Sequence, residues 1–306
     1  MATAAQTLAR SQATPSERFV RFWNKYLLFV YTGLAIVYLM APVFVMAMFS
    51  FNDPAGKSNF VWQGFSIDAW LNIFGVPGLQ GAVTISLVIA LLSTIVATVL
   101  GTLIALALAR HDFRGRSSTN LFIFLPMATP EIVLGAALLT LFVAIAAPPF
   151  FPLSAVTILI AHIMFNISYV VVTVRARLYG FDRNLEEAAM DLGANEWATF
   201  WKVTFPLILP AIMAAALLAF SLSIDDYVIT SFTAGRTSTF PIFIWGSARI
   251  GVPVQVNVIG TAFFVIAVGF VALTTLLQSR ANRPPRPAPP TEQRSTAAAP
   301  VPAAAE

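Results

Sequence analysis

The chain has 306 residues, of which 58% are hydrophobic and 10% charged, with mean hydropathy +0.79, a formal net charge of +4 and no cysteine. A soluble domain of this length buries a large core but cannot hide that much apolar sequence, so the composition points to a membrane protein. The absence of cysteine excludes a disulfide framework and a thiolate metal site.

Crossing a bilayer as a helix takes about 20 apolar residues. Six stretches reach that length, at roughly 27–49, 82–109, 121–146, 154–176, 205–230 and 257–279. Residues 1–20, before the first, are small and polar and predict a disordered cytoplasmic N-terminus. The first span follows basic residues as a signal peptide does. Its apolar run is too long and lacks a small-residue cleavage site, which predicts an uncleaved helix. After it, DPAGKSN at 53–59 contains Gly-Lys-Ser, the end of a phosphate-binding loop. That loop requires a glycine five residues before Gly56, where Phe51 stands, so the stretch predicts a turn.

The third span carries Glu131 about ten residues in, or about 15 Å at helical rise, behind Pro126 and Pro130. Proline loosens the local helix, and the freed carbonyls need protein neighbours or water. Glu131 is read equally as a pathway carboxylate or as a group satisfying nearby amides. His162, in the apolar run ILIAHIMF of the fourth span, predicts a hydrogen-bonded packing residue. The fifth span ends in LSIDDYVIT. There Asp225 and Asp226 form either a solvated helix end, which spacing alone favours, or a cation-attracting mouth with Tyr227 and Trp245 as π faces. The tail 281–306 is rich in Pro and Ala and predicts disorder, which leaves 21–280 as the transmembrane domain.

Orientation follows from the basic residues. With the N-terminus in the cytoplasm, fifteen of the eighteen Lys and Arg fall inside, and only Lys57, Arg236 and Arg249 fall outside. Both termini are then cytoplasmic, and so is the loop 177–204. Within it, Leu185 through Asp191 are helix formers, with Glu186 and Glu187 in the first turn. Gly193 is suited to end that helix in a left-handed conformation, and Asn195 to cap a second one carrying Trp197, Phe200 and Trp201. Pro206 and Pro210 open the fifth span. No His, Asp and Glu set has metal-ligand spacing, and no Ser–His–acid arrangement stands out.

The loop resembles the signature of the inner-membrane permease subunits of binding-protein-dependent ABC importers: Glu-Ala-Ala, three residues, Gly, nine residues, Ile-x-Leu-Pro. Here it runs Glu187-Ala188-Ala189, then Gly193, then Val203-Thr204-Phe205-Pro206, with Val and Phe in place of Ile and Leu. WQGFSIDAW at 62–70, MATPEIVLGAALL at 127–139, LSIDDYVIT at 222–230 and TSTFPIFIWGSARIGVPVQVNVIGT at 237–261 are similar to spermidine/putrescine permeases, above all to their C subunits.

The resemblance implies an all-α membrane protein of six transmembrane helices with the MetI-like permease fold, in a bacterial inner membrane and surrounded by lipid. It implies half of a translocation path, paired with a second permease, two ATPase subunits and an external solute-binding protein. The chain would not be an enzyme; it would hold no cofactor and bind no nucleic acid, ATP and Mg²⁺ residing in the ATPase. Glu187, Ala188, Ala189, Asp191, Gly193 and Pro206 would form the ATPase-coupling segment. With a polyamine as cargo, Asp225, Asp226 and Glu131 become pathway acids, with Tyr227 and Trp245 beside them. An ion-coupled secondary transporter using Glu131 and His162 as a proton relay is the competing reading, and a membrane scaffold is another.

Overall fold

In the computed structural model, residues 15–281 are described; residues 1–14 and 282–306, which carry most of the two expected disordered termini, lie outside them. Among the described residues every extended element is helical, and the only sheet-like pairing is an isolated bridge between Asn52 and Phe65. Five helices are long and apolar enough to cross a membrane, and a sixth crossing results if one bent pair is counted as a span.

Helix α1 runs Pro15–Phe49, so 15–20, expected to be disordered, are helical. Pro15 suits a first helical position because its missing N–H would have no intrahelical partner there. None of the most apolar window of α1 is buried within the chain. A helix satisfies all its own backbone groups, so such a surface is stable in lipid. A polar knob follows, in which Asn52 Nδ2 donates to Asn59 Oδ1 at 2.6 Å and Gln63 N to Asn52 Oδ1 at 2.8 Å. The Gly-Lys-Ser stretch lies in this knob as a bend. A single helical turn, α2 (Asp68–Leu71), leads to α3 (Leu79–Arg110).

The third expected span is two helices, α4 (Arg116–Ala128) and α5 (Glu131–Ile145), bent by 110°. Pro130 explains the break. It forces Thr129 into an extended conformation (φ −83°, ψ 132°). Leu125 O accepts both the Thr129 amide at 3.0 Å and the Thr129 hydroxyl at 2.7 Å, which closes the last turn of α4. Pro126, inside α4, does not break it.

α6 (Ala155–Tyr179) opens with a Ser154–Thr157 capping box. After the cytoplasmic-loop elements α7 (Asn184–Asp191) and α8 (Glu196–Thr199) comes a π-helical turn, Phe200–Thr204, and then α9 (Phe205–Asp225). The fifth span therefore continues back to Glu196 instead of starting at 205, and it stops at Asp225 instead of 230. In the π turn Phe205 N donates to Phe200 O, five residues back. That wider turn comes immediately before Pro206, which has no N–H to continue the ordinary ladder. Short helices α10 (Val228–Thr233) and α11 (Phe240–Ile250) precede α12 (Val254–Ala281). The chain divides after Gly260 into two units, and the described part of the second is the remainder of α12 to Ala281.

The core of the first unit is the packing of α3, α6 and α9 against one another. Ala97, Ala105, Val170, Val174, Ala215 and Ala219 are buried there. Small residues let helix backbones approach where lipid supplies no hydrophobic drive. Gly101 is the closest such contact: a Cβ there would lie 2.7 Å from Val170 Cβ and 3.2 Å from Ile167 O. Gly101→Ala is therefore expected to destabilise the protein by about 1–3 kcal/mol through overpacking. Gly81→Ala, with nothing within 4 Å of the new methyl, should leave the thermal midpoint in detergent unchanged. Equal midpoints for the two variants would refute this packing account.

Candidate functional site

The break between α9 and α10 organises the acids. Asp226 leaves the helix at φ −63°, ψ 120°. Its carboxylate turns back on the next helix and accepts from Ile229 N at 3.3 Å, from Thr230 N at 2.7 Å and from the Thr230 hydroxyl at 2.7 Å. This capping ends the fifth span early, since a carboxylate satisfies the free amides of a new helix start. His162 of α6 completes the arrangement, with Nε2 3.3 Å from Asp226 Oδ2 and 2.9 Å from Thr230 Oγ1. Its Nδ1 lies 2.6 Å from Ser223 Oγ, which lies 3.0 Å from Ser93 Oγ on α3.

All of these side chains are buried, the Asp226 side chain being 8% exposed. Thr230 gives its hydroxyl proton to Asp226, and Nε2 of His162 faces both groups. Every member of the chain Ser93–Ser223–His162–Thr230–Asp226 has a hydrogen-bond partner.

Asp225 and Glu131 face the other way. Both are exposed, and among the described residues neither has an ion-pair partner. Glu131 is the first residue of α5. Leu138 and Phe142 of α5 share a buried cluster with Ile229 of α10 and with Ala161 and Phe165 of α6. The bend at Pro130 thus carries Glu131 to the acids, within Coulombic reach of Asp225, which in turn feels Asp226. Tyr227 and Trp245 are in ring contact, with centroids 5.1 Å apart and planes at 35°, and Trp245 is 53% exposed. The five residues expected along the path are therefore divided. Glu131 and Asp225 are exposed carboxylates with no ion-pair partner among the described residues, Tyr227 and Trp245 form an aromatic pair, and Asp226 is an internal cap.

Sequence reading named His162 as a hydrogen-bonded packing residue, with a relay to Glu131 as the competing reading, and missed Ser93, Ser223 and Thr230. The four lie on four different helices, and spacing within one helix cannot pair them.

The second cluster is the loop between α6 and α9. Helix α7 ends in a hydrogen-bonded left-handed turn. Gly193, at φ +88°, donates to Met190 O at 2.9 Å, and Ala194 N donates to Ala189 O at 3.1 Å. Asn195 Oδ1 accepts from Ala198 N at 2.8 Å, capping α8 as its position predicts. Trp197 and Trp201 meet edge to face at 5.7 Å. Glu187, Ala188, Asp191, Gly193 and Pro206 are exposed and Ala189 is half-buried, while Leu192 and Trp197 are 90% and 71% exposed.

Glu186 points inward. It pairs with Arg110 at the end of α3 and accepts from the Thr204 hydroxyl in the π turn. Arg183 Nη2 donates to Ala109 O at 3.1 Å. The exposed face of α7 is thereby tied to the ends of two core helices. The double carboxylate at 186–187 was visible in the sequence; which of the two turned inward was not.

Residues 97–283 match the family model described as binding-protein-dependent transport system inner membrane component. The chain is 37% identical over 256 residues to the putrescine transport system permease protein PotI of Escherichia coli K12, covering 82% of this chain and 90% of that protein. It is 36% identical over 247 residues to the spermidine/putrescine transport system permease protein PotC of Haemophilus influenzae, covering 80% and 93%. The fold is similar to a chain of the bacterial alginate ABC transporter solved in complex with an alginate pentasaccharide-bound periplasmic protein. That likeness has a TM-score of 0.63 at 16% identity, over 87% of this chain and 98% of that one.

Proposed function

The chain belongs to the binding-protein-dependent transport system inner membrane components, the multi-pass permease subunits of ABC importers, and from that premise we propose that its cargo is a polyamine. The observation that carries the cargo is the pair of exposed carboxylates, Glu131 and Asp225, which have no ion-pair partner among the described residues. Charges in or near a membrane are expensive and are kept where they serve a path. Carboxylates that no cation among the described residues neutralises favour a cation from outside, and the aromatic pair Tyr227–Trp245, which begins two residues after Asp225, offers a face for an ammonium group. The names of the two relatives, putrescine and spermidine/putrescine permeases, support the same cargo.

In this reading both termini are cytoplasmic, and a second permease completes the path. An external solute-binding protein delivers the cargo and supplies most of the selectivity. Two ATPase subunits bind ATP and Mg²⁺ and dock on the exposed face of α7 through Glu187, Ala188, Ala189, Asp191 and Gly193, with Pro206 opening the span that is moved. Closure of the ATPases pulls α7. The pull passes through Glu186 to Arg110 of α3 and Thr204 ahead of α9, so that core helices rock between inward- and outward-facing states.

Uptake of labelled putrescine is the test. Uptake is expected to vanish when the ATPase subunit is deleted and to persist under an uncoupler while ATP is maintained. The reverse result would establish an ion-coupled carrier instead. The contacts of His162 argue against a relay with Glu131, because the imidazole is engaged by Ser223, Thr230 and Asp226.

A further inference from the structure

A groove of about 480 Å³ lies between α4 and α6, with Asn120, Ile123, Phe124, Val172, Arg175 and Tyr179 among its lining. Among the described residues, Arg175 is held there by neutral groups. Nη1 donates to Asn120 Oδ1 at 2.5 Å, Nη2 donates to the Tyr179 hydroxyl at 2.5 Å, and the guanidinium carbon sits 5.1 Å from the Tyr179 ring centroid. Its Nε is buried and has no hydrogen-bond partner among the described residues. The ion pairs found there are Arg110–Glu186, Arg116–Asp112 and His162–Asp226, and none includes Arg175. Neutral partners aim a guanidinium without neutralising it, and a partly buried cation beside hydrocarbon calls for an anion.

The surroundings identify the anion. Arg175 lies one turn from the end of α6 at Tyr179, and Asn120 lies one turn into α4. Ends of helices that cross a bilayer lie near the interface, where lipid phosphates sit. Beside the guanidinium the wall turns apolar through Ile123, Phe124 and Val172. A free phosphate or a carboxylate has no use for that wall, whereas a lipid presents a phosphodiester and an acyl chain joined at this spacing.

We infer that the α4–α6 groove is a binding site for an anionic phospholipid, its phosphate on Arg175 and its acyl chain along Ile123, Phe124 and Val172. The inference rests on the chain's place in a membrane and not on its cargo.

The importer complex containing the full chain is equilibrated in nanodiscs of phosphatidylglycerol and phosphatidylcholine, and retained lipid is counted by native mass spectrometry. Wild type is expected to retain phosphatidylglycerol in preference to phosphatidylcholine. Arg175→Gln should retain about tenfold less, the loss of one charge-assisted contact pair. Val172→Trp, which fills the trough and keeps the charge, should also lower retention. Wild-type phosphatidylglycerol counts in both variants would overturn the assignment. So would loss of the second permease subunit from the Arg175→Gln complex, since that would make the anion a carboxylate of the neighbouring chain. A failure of polyamine uptake, by contrast, leaves this result untouched.

Discussion

Gly193→Pro is expected to abolish productive coupling, cutting ATP-dependent uptake more than tenfold while the chain still inserts at the normal level. The backbone there has φ +88°, and its N–H donates to Met190 O. Proline fixes φ near −65° and removes the donor, so both features of the turn are lost at once. The damage stays local, because a Cβ at Gly193 meets nothing within 4 Å and the residue touches no core side chain. What changes is the direction of the chain at the end of α7, and with it the face proposed to meet the ATPase. Glu187→Ala tests the same surface without disturbing the backbone, since the side chain is exposed. It should lower substrate-stimulated ATP hydrolysis and leave thermal stability within about 0.5 kcal/mol, as surface substitutions do. Unchanged stimulated ATP turnover in both variants would sink the coupling assignment.

How far these sites were legible in the sequence depended on the range of the interactions that build them. The turn at Gly193 was legible because its contacts stay within a few residues: a glycine after a helical run, then Asn195 as a cap. The long helices were legible because lipid imposes a length and a composition on each one separately. The break at Pro130 was half legible. Proline announced a weakness, but a bend of 110° requires α5 to find a partner, and that partner is α10, on the far side of α6 in sequence. The end of the fifth span was illegible from hydropathy, since SIDDYVIT remains apolar enough to continue. Asp226 ends it by capping amides three and four residues ahead, with His162 fixing the carboxylate from sixty-four positions away. The division of the two aspartates, one outward and one inward, is thus a tertiary fact about residues that are adjacent in the chain. So is the division of Glu186 from Glu187.

That division gives the second large expected effect. Asp225→Asn removes a charge from an exposed carboxylate with no ion-pair partner among the described residues, and it keeps the side-chain shape. It should lower putrescine uptake about tenfold, a loss of about 1.4 kcal/mol of attraction for the cation. That magnitude is modest beside the several kcal/mol available to two charges about 4 Å apart at a protein surface. Assembly of the importer should be unaffected. Glu131→Gln should act in the same direction, because the two carboxylates lie within each other's field.

Removing the buried partner of Asp226 should behave differently. His162→Ala strips Asp226, Thr230 and Ser223 of a shared partner and leaves a cavity among buried polar groups, a loss of about 2–4 kcal/mol. Folding yield and uptake should then fall together. The two variants therefore separate a residue proposed to meet the cargo from one that positions the segment carrying it. If Asp225→Asn loses assembly as fast as uptake, Asp225 belongs with His162 and Asp226 in the scaffold. Glu131 would then remain as the exposed carboxylate of the cluster with no ion-pair partner among the described residues.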